Sequence, residues 1–370
     1  MNKDPFQEYL KQIEPDRREK GYLWDTAIGL QAVDGLKPSD YLIDIAIRNI
    51  EGKISIEEAE ELLSRYYDEN PKIDDEDRTE EADKVSVAIA GILSEKAFSF
   101  TSNEYISIHR RLFTGLYAHA GKVRDYNITK KEWVLDGATV IYGSASELRA
   151  TLEYDLSEEK KFSYKNLTME EIIRHLAVFI SRLWQIHLFA EGNTRTTAVF
   201  FIKYLRTLGF DAKNDIFAQN AWYFRNALVR ANYNDLKNGV HETTEYLELF
   251  LKNLLLDEKN ALQNRSLHIR GSFSLKKEAD IRTQKADIEE EKADIRKRLE
   301  YISAAVSEKT IRHVLLLFEK CGKERVFGRS FAEEVTGLGS TRASEILKIL
   351  LENEIIEPVK GQGKGKYRFL

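Results

Sequence analysis

The segment that decides the reading is Ile186-His187-Leu188-Phe189-Ala190-Glu191-Gly192-Asn193-Thr194-Arg195-Thr196-Thr197. It lies between two strongly helical stretches, Met169–Ile186 and residues 195–208, and Thr168 with Glu171 three positions on gives the first a capping-box start. Gly192 permits a tight turn, and Asn193 or Thr194 is placed to cap the second helix. The free amides of that helix start, with Arg195, would form an anion site suited to phosphate. His187 is the residue type for a general base near neutral pH. Glu191 offers a hard oxygen ligand for Mg²⁺. Base, metal ligand, helix start and arginine within nine residues are the parts of a phosphoryl-type transfer site. Each part alone has a plainer reading. A lone histidine at a helix end is more often a cap or a buried hydrogen-bonding residue, a Glu-Gly pair is usually a turn, and Phe189 would be core; their co-occurrence shifts the balance.

Around this loop, residues 84–256 form a dense run of apolar-periodic segments such as Val85–Leu93 and Asn103–Leu116. One stretch, Asn127–Gly143, differs. Trp133, Val134 and Leu135, then Asp136-Gly137, then Thr139, Val140 and Ile141 predict a short β-hairpin with a DG turn. A lone hairpin in a helical domain makes no sheet core, so it is expected to serve as a flap.

Residues 1–70 read as short helices: Trp24–Val33 ending at Asp34-Gly35, a helix after Ser39, and another opened by Ser55. The acidic stretch Asp68–Asp83 reads as a linker. Residues 257–305 are highly charged, with Ile281, Ile288, Ile295 and Ile302 recurring every seven residues but polar groups between them, so a solvated helical connector is expected. Residues 306–370 resemble a winged helix: a helix capped by Ser307, a short helix over Ser330–Val335, a third over Thr341–Glu352, then two strand-like runs about a glycine- and lysine-rich tip. DNA and another protein surface are nearly balanced as its partner, because Glu345, Glu352 and Glu354 dilute the basic charge.

The chain has 370 residues, a formal charge of -5 and one cysteine, Cys321. There is no global drive toward nucleic acid or membrane, no internal disulfide and no zinc-type Cys/His spacing. Without an apolar leader or a membrane-length apolar run, a cytoplasmic location is expected.

The loop resembles the signature of Fic-domain proteins, H-x-F-x-[D/E]-G-N-G-R-x-x-R, with His187, Phe189, Glu191, Gly192, Asn193 and Arg195 in register. Ile108–Ile128 resembles a second hallmark, a helix ending in an A-G-x-x-R turn before the flap, and the resemblance spans about residues 84–256. It implies a mainly α fold, a Fic helical core with a β-hairpin flap, flanked by an N-terminal helical segment and the C-terminal winged helix. It implies AMP transfer from ATP to a Tyr, Thr or Ser hydroxyl of a target protein, or of the protein itself. His187 would be the catalytic base, Glu191 would hold Mg²⁺, and Gly192, Asn193, Thr194 and Arg195 would bind the phosphates. Tyr223 and Asn226, in Ala221–Asp235, would lie on the nucleoside side, with ordinary packing an equal alternative there. Trp133, Val134, Leu135, Val140 and Ile141 would align the target by main-chain pairing.

Two departures bear on this. Thr194 replaces the signature's glycine, and a side chain there resembles the Doc-type branch, where a lysine accompanies an inverted nucleotide and kinase-like phosphate transfer; Ala198 replaces the second arginine, which grips the distal phosphate. Residues 22–65 resemble the antitoxin of some Fic toxins, fused in cis. The inhibitory motif [S/T]-x-x-x-E-G becomes Leu30-Gln31-Ala32-Val33-Asp34-Gly35. Asp34 is then expected to face Ala198, without the usual salt bridge, while the helix still packs through Trp24, Ile28 and Val33. The alternatives are Doc-like phosphotransfer, another nucleotide transfer, or a weakened nucleotide-sensing DNA-binding regulator. A homodimer is a further candidate assembly.

Overall fold

The computed structural model describes residues 5–70, 78–210, 216–270, 295–296, 299, 307–322, 326–359 and 365–370. It divides into two units, Met1–Ser272 and Phe273–Leu370. Both are built mainly from helices.

In the first unit, α1 (Pro5–Gln12) and α2 (Arg18–Gly29) lead into a 3-10 turn, Leu30–Asp34, closed by Gly35 at φ 73°. Helices α3 (Asp40–Ile50) and α4 (Ile56–Glu69) start where Ser39 and Ser55 accept bonds from the first turn. Then come α5 (Thr79–Ser94), α6 (Ser102–Phe113), α7 (Leu148–Lys161), α8 (Met169–Ile186), α9 (Asn193–Thr207), α10 (Ile216–Ala231) and α11 (Glu245–Leu256). The Thr168–Glu171 capping box fixes the start of α8. Helix α9 is buried over nearly its whole length, Asn193 to Leu205, and forms the axis of the unit.

The N-terminal helices are not a separate domain. Trp24, Leu30, Val33, Leu42 and Ile45 belong to one apolar core with Phe189, Phe200 and Phe224. Helix α2 packs on α5 and α10. A Cβ on Gly29 would lie 2.2 Å from the Ala218 backbone, so only glycine allows this approach. The expected linker over Asp68–Asp83 also contracts: α5 begins at Thr79, and Glu81 and Asp83 are buried within it.

Three further expectations are corrected. Among the described residues of the Asn127–Gly143 segment there is no strand; Trp133–Leu135 is a 3-10 turn, with Asp136 left-handed. Val134 and Leu135 are both buried, and a strand's alternation would turn one of two neighbours outward. Gly192, not Asn193 or Thr194, is the N-cap of α9, and no side chain caps it. Residues 257–270 are not solvated connector but part of the first unit, where Asn253 bonds the Asn260 backbone and the short helix α12 (Asn264–Leu267) packs on α10. Most of the heptad-like repeat lies outside the described residues.

From residue 307 on, the second unit runs helix, strand, helix, helix, strand, strand. Helix α13 (Glu308–Cys321) is capped by Ser307, and α14 (Arg329–Thr336) and α15 (Ser340–Glu352) follow β1 (Phe327–Gly328). Strands β2 (Ile356–Pro358) and β3 (Lys366–Phe369) complete an antiparallel sheet of order β1-β3-β2. The tip between β2 and β3 falls on residues outside the description. Among the described residues, no helix is long and apolar enough to cross a membrane.

Candidate functional site

The loop between α8 and α9 is fixed by its own residues. His187 ends α8 in the left-handed conformation, φ 50° and ψ 58°, which costs a non-glycine residue energy unless its surroundings hold it. Arg124 provides that hold. It is buried, its Nε donates to the His187 carbonyl at 2.8 Å, and Nη2 donates to the Gly143 carbonyl at 2.6 Å. It is the arginine of the A-G-x-x-R turn, and no acid is paired with it among the described residues, so burial lowers its pKa. Across the loop, the Asn193 amide donates to the Phe189 carbonyl while its Oδ1 accepts the Phe189 N–H. In this state Asn193 braces the loop rather than facing an anion.

Gly192 is required twice. Its φ is +73°, and an added Cβ would meet the Phe113 ring at 2.3 Å. Gly192→Ala should therefore lower unfolding free energy by about 3 kcal/mol, combining left-handed strain and overpacking. Denaturant unfolding checks this, and a loss under about 1 kcal/mol, the low end for overpacking alone, would show that the ring simply moves aside.

The His187 ring packs against Tyr142, 4.3 Å away centroid to centroid, and edge-on against Trp184, at 5.2 Å, the two of which also touch each other. Its Nδ1 makes no hydrogen bond of normal geometry. Burial above all, then the charge of Lys130, holds its pKa well below the ordinary value; the Trp184 carbonyl opposes this, and Arg124 and Arg225 add to it. The ring is thus a neutral base at neutral pH. Lys130 pairs with Glu191 at 3.5 Å, and Glu191 is half-exposed. The first backbone bond of α9 runs from Thr196 N to Gly192 O, so the amides of Asn193, Thr194 and Arg195 precede the helical ladder. Thr194 Oγ1 accepts the Trp184 indole N–H at 3.0 Å.

Arg195 is fully buried, and its partners differ from expectation. Nη2 lies 2.8 Å from Asp34 and 2.6 Å from Glu81, and Nη1 donates to Gln31 at 3.0 Å. Asp34 therefore does form a salt bridge. It reaches the first signature arginine rather than Ala198, which is buried in apolar core. Glu81 is itself held by Arg78 and by the Tyr117 hydroxyl. The sequence reading missed Glu81 because local polarity assigned it to a linker; nothing in its immediate neighbours marks it. Trp24 and Val33 are buried as expected, while Ile28 is only half-buried.

The flap is anchored by the buried Glu132, whose carboxylate accepts the Tyr142 hydroxyl at 2.9 Å and pairs with Arg225 at 2.8 Å. Of the five proposed docking residues, Ile141 (83% exposed) and Trp133 (49%) face outward, whereas Val134, Leu135 and Val140 are buried. Tyr223 is buried, and Asn226 is fully buried with its amide on Asn264 at 2.8 Å. Asn226 is closed to a ligand while α12 is in place.

Behind the loop, His109 stacks on Phe189 at 3.6 Å, and its ring nitrogens contact Gly121 N and the Glu191 carbonyl. Burial lowers its pKa to about 4. The unfolded chain protonates His109 near its ordinary value, so the fold is favoured above about pH 6.5. As pH falls from there to about 4, this residue alone should cost on the order of 3 kcal/mol. His109→Phe, which cannot be protonated, should show a shallower acid decline in chemical unfolding; an unchanged slope would contradict the assignment.

Residues 99–205 match the sequence profile of the Fic/DOC family. No curated protein matches the chain. Among solved structures, the chain is similar to the N-terminal FIC domain of the Bep8 protein, a VirB-translocated effector of Bartonella sp. 1-1C, at 20% identity over 49% of this chain and 85% of that one, with a TM-score of 0.37. It is also similar to a Fic family protein from Desulfovibrio desulfuricans G20, at 13% identity over 100% and 97% of the chains, with a TM-score of 0.45.

Proposed function

We propose that this chain, which carries a Fic/DOC family domain over residues 99–205, is a Fic-type transferase that moves AMP from ATP to a hydroxyl side chain of a protein, its own chain included. The observation that carries the reading is a neutral, buried His187 beside a helix start whose leading amides precede the backbone ladder. His187 accepts the proton of the attacking hydroxyl as its oxygen bonds the α-phosphorus of ATP, and the bond from that phosphorus to the β-phosphate oxygen breaks, so pyrophosphate leaves. The amides of Asn193, Thr194 and Arg195 stabilise the charge that develops on the phosphate. Glu191 is a single half-exposed carboxylate, a donor set that suits Mg²⁺ already carried on nucleotide phosphates. Bound Mg²⁺ would neutralise phosphate charge, and Lys130 must then release Glu191.

The conformation described is a resting state. Arg195 is committed to Asp34, Glu81 and Gln31, so it cannot also grip phosphate, and α12 covers Asn226. Phosphate transfer of the Doc type is the competing chemistry. ATP labelled at the α position, beside ATP labelled at the γ position, separates the two, with His187→Ala as control. Protein-bound α label that disappears in the variant supports AMP transfer; γ label alone overturns it. Among the described residues, α14 and α15 offer DNA little unpaired positive charge. On α14 and α15, Arg329, Arg342 and Lys348 each pair with a glutamate one turn away.

A further inference from the structure

A cavity of about 830 Å³ opens between α2, α4 and α5, and the C-terminal ends of α3 and α6 border it. Among the described residues, none that lines it belongs to the loop His187–Arg195, to the flap or to α10. Its volume falls within the range of about 300–1,000 Å³ usual for small-molecule sites. Room remains between the helices because α5 presents Ala88 and Gly91 there, and at Gly91 an added Cβ would already lie 3.2 Å from Ile56. Leu23, Ile54, Ile56 and Ala88 are only half-buried in the lining, beside the buried Trp24 and Val87.

The charges on its walls do not balance. Arg111 holds Glu95 through both terminal nitrogens, at 3.0 and 2.5 Å, and Lys84 pairs with Glu80 at 2.5 Å. Lys20 Nζ lies 3.5 Å from the Asn49 carbonyl in the last turn of α3, the helix end that favours a cation. The acids that remain are Glu57 and Glu60, three residues apart on one face of α4 and both exposed. Among the described residues neither makes an ion pair. Glu57 sits in the first turn, where its own backbone N–H and then Ser55 lower its pKa. Glu60 has no such support. Partial burial, then the Glu57 charge, raises its pKa, and Arg111, already committed to Glu95, opposes this.

Apolar surface beside a carboxylate pair without a counter-ion is complementary to an organic cation. Its hydrocarbon part covers Leu23, Ile56 and Ala88, and its charge relieves the repulsion between the two acids. An anion would add to that repulsion. We propose that this cavity is a binding site for a small hydrophobic amine, held by its ammonium group on Glu57 and Glu60. The inference does not rest on the transfer proposed at His187.

Calorimetric titration of the full chain tests it with three probes. Tryptamine carries an aromatic body and a positive charge, indole-3-acetate carries a similar body and a negative charge, and methylamine carries the positive charge alone. Tryptamine should bind saturably, and each of the other two should bind weaker by about tenfold or more, the loss of one charge-assisted hydrogen bond or of the apolar contact. Replacing both acids, Glu57→Gln with Glu60→Gln, changes only exposed side chains and should weaken tryptamine to a similar extent. Lys20→Met should not weaken it. Absence of saturable tryptamine binding, equal binding of indole-3-acetate or methylamine, or an unchanged affinity in the double variant would each overturn the site.

Discussion

Replacing His187 by alanine should lower transfer of α label from ATP by about 10²–10⁴-fold, the usual contribution of a positioned general base. The loss should fall in kcat, with KM for ATP nearly unchanged, because the ring is placed to take a proton and not to hold phosphate. Burial and Lys130 keep the imidazole neutral, so the acid limb of the rate profile should lie below the ordinary histidine range. Lys130→Met should move that limb upward, since it removes a cation that opposes protonation. A variant at His187 that retains wild-type transfer, or an acid limb unmoved by loss of Lys130, would remove His187 from the chemistry.

Deleting residues 1–36 should yield an aggregating chain rather than an unrestrained enzyme. Trp24, Ala27, Leu30 and Val33 are each at most 1% exposed within the core that also holds α9 and α10. Each large apolar side chain lost from such a core costs about 2–5 kcal/mol, and a few of them exhaust the roughly 5–15 kcal/mol that holds a domain folded. Inhibition must therefore be read from point substitutions. Asp34→Ala leaves the packing intact and frees one partner of Arg195. Asp34 is 29% exposed, so the pair is worth about 1 kcal/mol and transfer should rise about fivefold. Glu81→Gln acts where water is excluded. Removing one partner of a buried pair costs about 3–5 kcal/mol, and the midpoint should fall accordingly. A truncated protein that unfolds cooperatively at the wild-type midpoint, or an Asp34→Ala variant with unchanged transfer, would refute this division of roles.

Asp34 shows how a resemblance can misplace a contact. Aligned positions set Asp34 against Ala198, but which arginine a carboxylate meets depends on the approach of α2 across α10. That approach is governed by Gly29 against the Ala218 backbone, a contact 189 positions apart in the chain. The flap failed for a related reason. An Asp-Gly pair between apolar residues fits a hairpin turn, but Trp133–Leu135 forms a 3-10 turn that buries both Val134 and Leu135.

What the sequence determined by itself was whatever depends on near neighbours. Capping residues placed the starts of α8 and α13, and apolar period with turn residues placed α9, α14 and α15 within a few positions. The spacing from His187 to Arg195 put base, glycine turn and arginine on one loop. Only the tertiary structure decided the electrostatic state of that loop. Burial against Tyr142 and Trp184 makes His187 neutral, and Glu81, brought from a segment that reads as linker, joins Asp34 in holding Arg195. The physical reason is that desolvation and ion pairing act through space over a few ångströms, and which groups come that close is settled by helix packing, not by their order along the chain.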